Sequence, residues 1–449
     1  MSDQRHARAK RIFAQVCAQP PEEWPELLAQ TCADDSELRD EVESLLRYHD
    51  DSPEEEPTVG LEELELKPGE RIAHYSILRL LGEGGMGEVW EAEQREPVRR
   101  RVALKLIKAG MGTKQVVARF ESERQALALM DHPNIARVFD GGATEQGRPY
   151  FVMEYVQGER ITAYCDRHRL TTRERLELFI QVCNGVQHAH HKGVIHRDIK
   201  PSNLLVSIQD DRPMPKIIDF GVAKATSQRL TDKTMVTQLG MLVGTPEYMS
   251  PEQAEMTTLD IDTRTDVYSL GVVLYELLVG APPFEFDELR CAGIDELRRR
   301  VREDEPPTPS NRFTSLGGTS ARIAAERRTD APSLARQLRG ELDWIVMRAL
   351  EKDRTRRYAS PAELAADIRR HLNDEPVLAG PPSTVYRMRK FVRRHRLGVT
   401  AASIVLLALV IGATAVTFGM LRARTAEAGA KQDAATAEQI GRASCRERV

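Results

Sequence analysis

Gly82-Glu83-Gly84-Gly85-Met86-Gly87, followed by Val89, spaces its glycines as a loop whose backbone amides can close over phosphates, an approach that side chains would block. The string has other uses: before a helix it suggests a dinucleotide site, and plain turns also carry it. Here a strand-like run (GEVWEAEQ) follows it, which disfavours the dinucleotide reading. About one hairpin later, Val102-Ala103-Leu104-Lys105 ends an apolar run on a lysine. An ammonium there is costly to bury without a partner, and phosphates with a carboxylate would supply one. Glu123 is the favoured carboxylate by its spacing to His132-Pro133-Asn134, and Glu121 is its rival. Taken alone, Lys105 reads equally well as a solvated surface lysine.

His196-Arg197-Asp198-Ile199-Lys200-Pro201-Ser202-Asn203 is the most specific string, and Asp219-Phe220-Gly221 follows it after a short hairpin. These residues resemble the protein kinase superfamily, whose catalytic loop reads HRDxKxxN. The resemblance implies an active enzyme that moves the γ-phosphate of ATP to Ser and Thr hydroxyls of proteins. Asp198 would orient the hydroxyl and accept its proton, and Lys200 would contact the transferred phosphate. Asn203 and Asp219 would hold Mg2+, or Mn2+, against the ATP phosphates, in keeping with the preference of hard cations for oxygen ligands. Lys105 with Glu123 would position those phosphates under Gly82, Gly84 and Gly87. Val89, Ala103 and Leu205 would sandwich the adenine ring, while Met153 resembles a gatekeeper and Glu154 to Val156 a hinge offering backbone groups to its edge.

Thr245 in GTPEY and Lys200 both match the serine/threonine branch. Ser250-Pro251-Glu252 departs from the family's APE by one residue, and Glu252 is expected to pair with Arg357. Asp266 resembles the buried aspartate that braces the catalytic loop. Arg197 implies control by phosphorylation at Thr231, Thr234 or Thr237, including by the chain itself. Two other classes compete: a pseudokinase serving as a binding module, and a small-molecule phosphotransferase of related fold. The first would lack Lys105, Asp198 or Asp219; the second usually departs from HRDxKPxN and lacks the GTPEY string.

The elements that must position these residues divide into two lobes. From Tyr75 the pattern runs in short β-type segments (YSILRLLG, GEVWEAEQ, RVALKLI, ARVFDGG, PYFVMEYV), with one helix inserted near residues 117–130. After Gly158 helical periodicity dominates, at 173–191, 266–278 and 334–350. The fold class is therefore α+β: the bilobal kinase fold, with a β-rich N-lobe and an α-rich C-lobe. Residues 303–329, polar and with prolines clustered at their start, read as a mobile insertion. The expected organisation is a helical module at 1–49, an acidic linker at 50–71, the catalytic domain at 72–372 and a basic juxtamembrane segment at 373–396.

At 449 residues the chain exceeds one compact core. A net charge of -4 with 29% charged residues gives no basic excess, so no nucleic-acid partner is expected. Six cysteines without metal-like spacing suit a reducing compartment rather than a disulfide framework or zinc site. The polar N-terminus is not a secretory leader. Residues 397–421 contain 25 positions without a charge, which as a helix would reach about 37 Å and cross a bilayer core of about 30 Å. Basic residues crowd the N-terminal flank of that span, so the catalytic domain is expected on the cytoplasmic side of the cell membrane as part of a single-pass protein. The architecture resembles bacterial transmembrane kinases, with protein substrates as partners and room for a homodimer. Residues 440–449 (IGRASCRERV) match one frame of a common sequencing adapter, and the natural chain is expected to continue from a short extracytoplasmic tail at 422–449 into an external domain.

Overall fold

The computed structural model describes residues 66–84, 87–107, 130–220, 246–255, 262–284, 294–381 and 383–446, with Leu28, Thr31, Cys32 and Val42. The chain divides into two compact units, residues 1–66 and 67–449. In the first, Leu28, Cys32 and Val42 are buried, and the Cys32 N–H donates to the Leu28 carbonyl at 3.0 Å, a one-turn bond. Most of the expected helical module lies outside the described residues, as do residues 117–129 of the expected inserted helix and the threonines 231, 234 and 237.

The second unit begins with strands β1 (Arg71–Ile72), β2 (Tyr75–Gly84), β3 (Gly87–Gln94), β4 (Arg100–Ile107), β5 (Val138–Ala143) and β6 (Pro149–Glu154). They form one antiparallel sheet in the order β1-β2-β3-β4-β6-β5. The near-continuous apolar run in β4, paired on both sides by β3 and β6, is what the centre of a sheet requires. A second small sheet follows, β7 (Glu159–Arg160), β8 (Leu204–Gln209) and β9 (Arg212–Ile217).

The helical lobe contains α1 (Ile161–Arg167), α2 (Thr172–His191), α3 (Pro251–Ala254), α4 (Arg264–Val279), α5 (Ile294–Glu303), α6 (Pro309–Ser315), α7 (Thr319–Glu326), α8 (Ala331–Leu338), α9 (Glu341–Ala349) and α10 (Pro361–Leu372). Helix α2 starts on a capping box, in which Thr171 accepts from the Glu174 N–H and Glu174 reaches back to Thr171. Helix α4 is buried on nearly every side, which its run of Val, Leu and Tyr permits, and it stops at Gly280 in the left-handed region (φ +80°). Around α2 and α4 the main core gathers, including Phe179, Val186, Leu274 and Ile345. Cys165 and Cys183 are buried free thiols in it.

Two expectations need correction. Residues 303–329 are not a mobile insertion: they fold into α6 and α7, with Phe313 and Ile323 buried in the main core. Thr308 caps α6, and the Arg327 guanidinium bonds the carbonyls of Ile323 and Leu277 at 3.0 and 2.9 Å, tying the segment to α4. The polar composition hid this because one apolar residue per turn suffices when a neighbouring helix covers it. The helix expected over 334–350 is two helices, α8 and α9. Gly340 (φ +98°) breaks it, a conformation that helical periodicity does not report.

Past the core, α11 (Thr384–Arg394) is followed by α12 (Arg396–Arg446). Helix α12 is long and apolar enough to cross a membrane, reaching a mean hydropathy of 2.5, and Ile404, Leu406, Leu409 and Phe418 on it are exposed. It runs beyond the uncharged residues 397–421 because the following stretch is rich in Ala and Arg, which are strong helix formers.

Candidate active site

Between the sheet lobe and the helical lobe lies a cleft of about 610 Å³. Into it come Gly82, Gly84, Gly87 and Val89 from the β2–β3 hairpin, Ala103 and Lys105 from β4, and Glu154 and Val156 from the end of β6. From the other side come Asp198, Lys200, Asn203, Leu205 and Asp219. Every described residue expected in the site from sequence therefore meets the others here; Glu123 lies outside the described residues.

The hairpin register explains the glycines. Gly84 pairs with Gly87, and Gly82 with Val89, so the two strands stay in register along the rim of the cleft. At Gly87 φ is +147°, and a Cβ would sit 2.0 Å from the Leu106 carbonyl oxygen in β4. Gly87→Ala should accordingly cost about 1–3 kcal/mol, because the residue is both strained and blocked by backbone. Urea denaturation measures this, and an unchanged midpoint would show that the hairpin relaxes freely.

Lys105 sits opposite Val89 on one neighbouring strand and Phe151 on the other. Its side chain is buried, and its ammonium donates to Asp219 Oδ1, which provides the counter-charge that burial demands. Asp198 lies 2.9 Å from Lys200 Nζ. Asn203 Nδ2 donates to the Asp198 carbonyl at 2.8 Å and to its carboxylate at 3.3 Å. A short 3-10 turn, Pro201–Asn203, sets this spacing, with proline supplying the φ that the turn needs.

The loop carrying Asp198 is held from behind by Asp266. That carboxylate is fully buried at the first turn of α4 and accepts the N–H groups of His196 and Arg197, both at 2.8 Å, and His190 Nε2 at 2.7 Å. Burial alone would raise its pKa, but the His190 hydrogen bond and the charges and donors around it hold the carboxyl below its usual range. His196 is pushed the other way: burial keeps its imidazole neutral, stacked 4.6 Å from the Phe220 ring. Arg197 and Asp219 both adopt positive φ, +63° and +59°, conformations costing of order 1–3 kcal/mol that persist only where surrounding bonds dictate them.

Three contributions escaped the sequence reading. Ser250, the departure from the APE pattern, accepts from the Gln253 N–H as the cap of α3, and Gln253 Nε2 donates to the Arg197 carbonyl at 2.9 Å, linking α3 to the loop. A serine followed three residues later by glutamine is the available signal. Ile218 lines the cleft beside Asp219, and its carbonyl lies 3.3 Å from His196 Nε2. Lys216 on β9 pairs with Glu154 at 2.7 Å, across 62 residues of chain, and no local signal marks it. The expected pair of Glu252 with Arg357 is present and bidentate, at 2.7 and 2.8 Å, with Thr265 Oγ1 donating to Glu252 at 2.8 Å.

Asp219 and Asn203 offer a carboxylate and an amide oxygen to the same cleft, a donor set suited to a hard divalent cation shared with phosphate oxygens. Among the described residues there is no group of three or more His, Cys, Asp or Glu side chains that would cage an ion without a phosphate.

The chain is similar to the serine/threonine-protein kinase pkn3 of Myxococcus xanthus, 35% identical over 330 residues, covering 70% of this chain and 55% of that protein. It is similar to PknB of Mycobacterium tuberculosis, 34% identical over 314 residues, covering 69% of this chain and 44% of that protein. The chain thus spans about half the length of the curated relatives it matches. The crystal structure of the Mycobacterium tuberculosis PknI kinase domain aligns with a TM-score of 0.47 and 25% identity over 68% of this chain and 99% of that one. The family model described as protein kinase domain matches residues 75–367, well over half of the sequence, and the chain belongs to that family.

Proposed function

We propose that the chain is a membrane-anchored serine/threonine protein kinase that moves the γ-phosphate of ATP to protein hydroxyls. The observation that carries this reading is the convergence of Lys105, Asp198, Lys200, Asn203 and Asp219 on one cleft. Phosphoryl transfer needs positioning and charge stabilisation more than covalent help, and these side chains supply both. The adenine lies between Val89, Ala103 and Leu205, with backbone groups of Glu154 and Val156 at its edge, and Lys105 orients the phosphates. The substrate hydroxyl oxygen bonds to the γ-phosphorus as the bond to the β-phosphate oxygen breaks, and the hydroxyl proton passes to Asp198. Lys200, beside Asp198, offsets charge on the moving phosphoryl group. Asn203 and Asp219 would hold Mg2+, which neutralises the phosphate oxygens when bound.

In this reading helix α12 is the membrane anchor, and six basic residues between 387 and 396 support a catalytic domain on the cytoplasmic side. Thr231, Thr234 and Thr237 are the sites at which the chain would phosphorylate itself. Purified chain given γ-labelled ATP and Mg2+ should label itself and added protein, yielding phosphoserine and phosphothreonine but no phosphotyrosine. Mass spectrometry should locate phosphate between Gly221 and Ser250. Normal ATP binding with no transfer to any protein would overturn the kinase reading in favour of a binding module.

A further inference from the structure

Helix α11 has two opposed faces. Tyr386, Lys390 and Arg394, four residues apart, dock onto the helical lobe. The Tyr386 hydroxyl donates to Glu341 Oε1 at 2.9 Å and accepts from the Val377 N–H at 3.0 Å, and its ring meets Trp344 edge-on at 5.6 Å. Lys390 is buried, 2.8 Å from Glu341, and Arg394 lies 3.1 Å from Glu375. Burial would raise the Glu341 carboxyl's pKa, but hydrogen bonds from His371 and Lys390 keep it lowered and ionised, so the dock is built on a committed charge.

The opposite face is apolar. Val385, Met388, Phe391 and Val392 are 75%, 70%, 60% and 43% exposed. Their spacing of three and four residues makes one stripe, about half a turn of the helix away from the docked residues. Residues 384–396 (TVYRMRKFVRRHR) contain six Lys or Arg and no Asp or Glu. The apolar helix α12 starts two residues after α11 ends.

We propose that α11 lies in the headgroup plane of an anionic bilayer, with the Val385–Met388–Phe391–Val392 stripe in the acyl boundary, and seats the catalytic domain on the membrane through Glu341. An apolar stripe with a basic surround is the composition of an interfacial helix, and basic residues near the surface are drawn to anionic lipid. Continuity with α12 argues for lipid over a second copy of the chain, because the stripe is delivered to the bilayer surface by the span itself. Since Tyr386 and Lys390 fasten the other face, the domain is held in a set orientation rather than on a loose tether. This inference rests on the reading of α12 as a membrane span.

The test uses the full chain in vesicles of phosphatidylcholine with or without phosphatidylserine, with a fluorescent amino acid replacing Phe391 or, separately, Val410. Phe391 is exposed, so the replacement leaves the packed face intact. With phosphatidylserine, brominated acyl chains should quench the label at 391 several-fold more than aqueous iodide does, and removing phosphatidylserine should shift the balance toward iodide. At 410 lipid quenching should dominate in both vesicles. Iodide quenching at 391 with lipid quenching at 410 would overturn this proposal and leave the span standing. Iodide quenching at both positions would overturn the span. Shielding of 391 from both quenchers, with crosslinking between chains, would assign the stripe to a second copy and likewise overturn the proposal.

Discussion

Asp198→Asn should lower the rate of phosphoryl transfer on the order of 10²–10⁴-fold while ATP affinity stays near the wild-type value, because the loss falls on proton acceptance. The substitution is nearly isosteric. Asn203 would still donate to the residue 198 backbone carbonyl, now 2.8 Å away, and the His196 and Arg197 N–H groups would still be held by Asp266, so the loop should keep its course. An amide cannot take the hydroxyl proton, and the counter-charge 2.9 Å from Lys200 disappears. Single-turnover transfer and calorimetric ATP titration separate the two effects. A variant that transfers phosphate at the wild-type rate would remove Asp198 from the proton-accepting role. A variant that loses ATP binding in parallel would indicate a collapsed loop instead.

Arg357→Ala should destabilise the helical lobe by about 3–5 kcal/mol, since breaking a buried pair leaves one charge without its partner. The Arg357 side chain is fully buried and that of Glu252 is 9% exposed, so solvent screens the pair little. Arg357 also donates to the carbonyls of Glu351, Lys352 and Arg264, which would lose those bonds. Burial tends to raise the Glu252 carboxyl's pKa, and the Arg357 hydrogen bonds and charge outweigh it, leaving the value lowered from 4.5. A lowered carboxylate stabilises the fold fully above its unfolded value, and that contribution fades as the pH falls through the folded value. The difference between wild type and Arg357→Ala should therefore be large near neutral pH and shrink in acid below 4.5. Urea denaturation across that range measures it. A difference under about 1 kcal/mol at neutral pH would mean that α3 is anchored by Ser250 and Gln253 rather than by the pair.

Much of the site could be read from residue order because its chemistry is local. Within the glycine hairpin, and within the 196–203 string, the residues fall a few positions from one another, and short segments hold each in one conformation: a two-strand register in the first, a proline-led turn in the second. Strands β2 to β6 were legible as short β-type segments, and α2 and α4 as helical patterns after Gly158. Glu252 with Arg357 and Asp266 with the catalytic loop are the long-range contacts anticipated, and family resemblance rather than spacing carried both.

Periodicity fails wherever the deciding partner is remote. Residues 303–329 look polar, yet Phe313 and Ile323 are core because α4 and its neighbours cover them. Glu123, the carboxylate expected beside Lys105, lies outside the described residues; among those described, the partner of Lys105 is Asp219, 114 residues along the chain. Lys216 with Glu154 and Gln253 with the Arg197 carbonyl belong to the same class.

By itself the sequence determined the candidate residues that line the cleft, the two-lobe order of elements and one apolar helix, since each depends on side-chain type and nearest neighbours. Only the tertiary structure decided which buried charges are matched and which face of α11 is docked. A charge is tolerated in the interior only beside its partner, and Glu341 meets Tyr386 and Lys390, 45 and 49 residues later, only once the lobe is assembled.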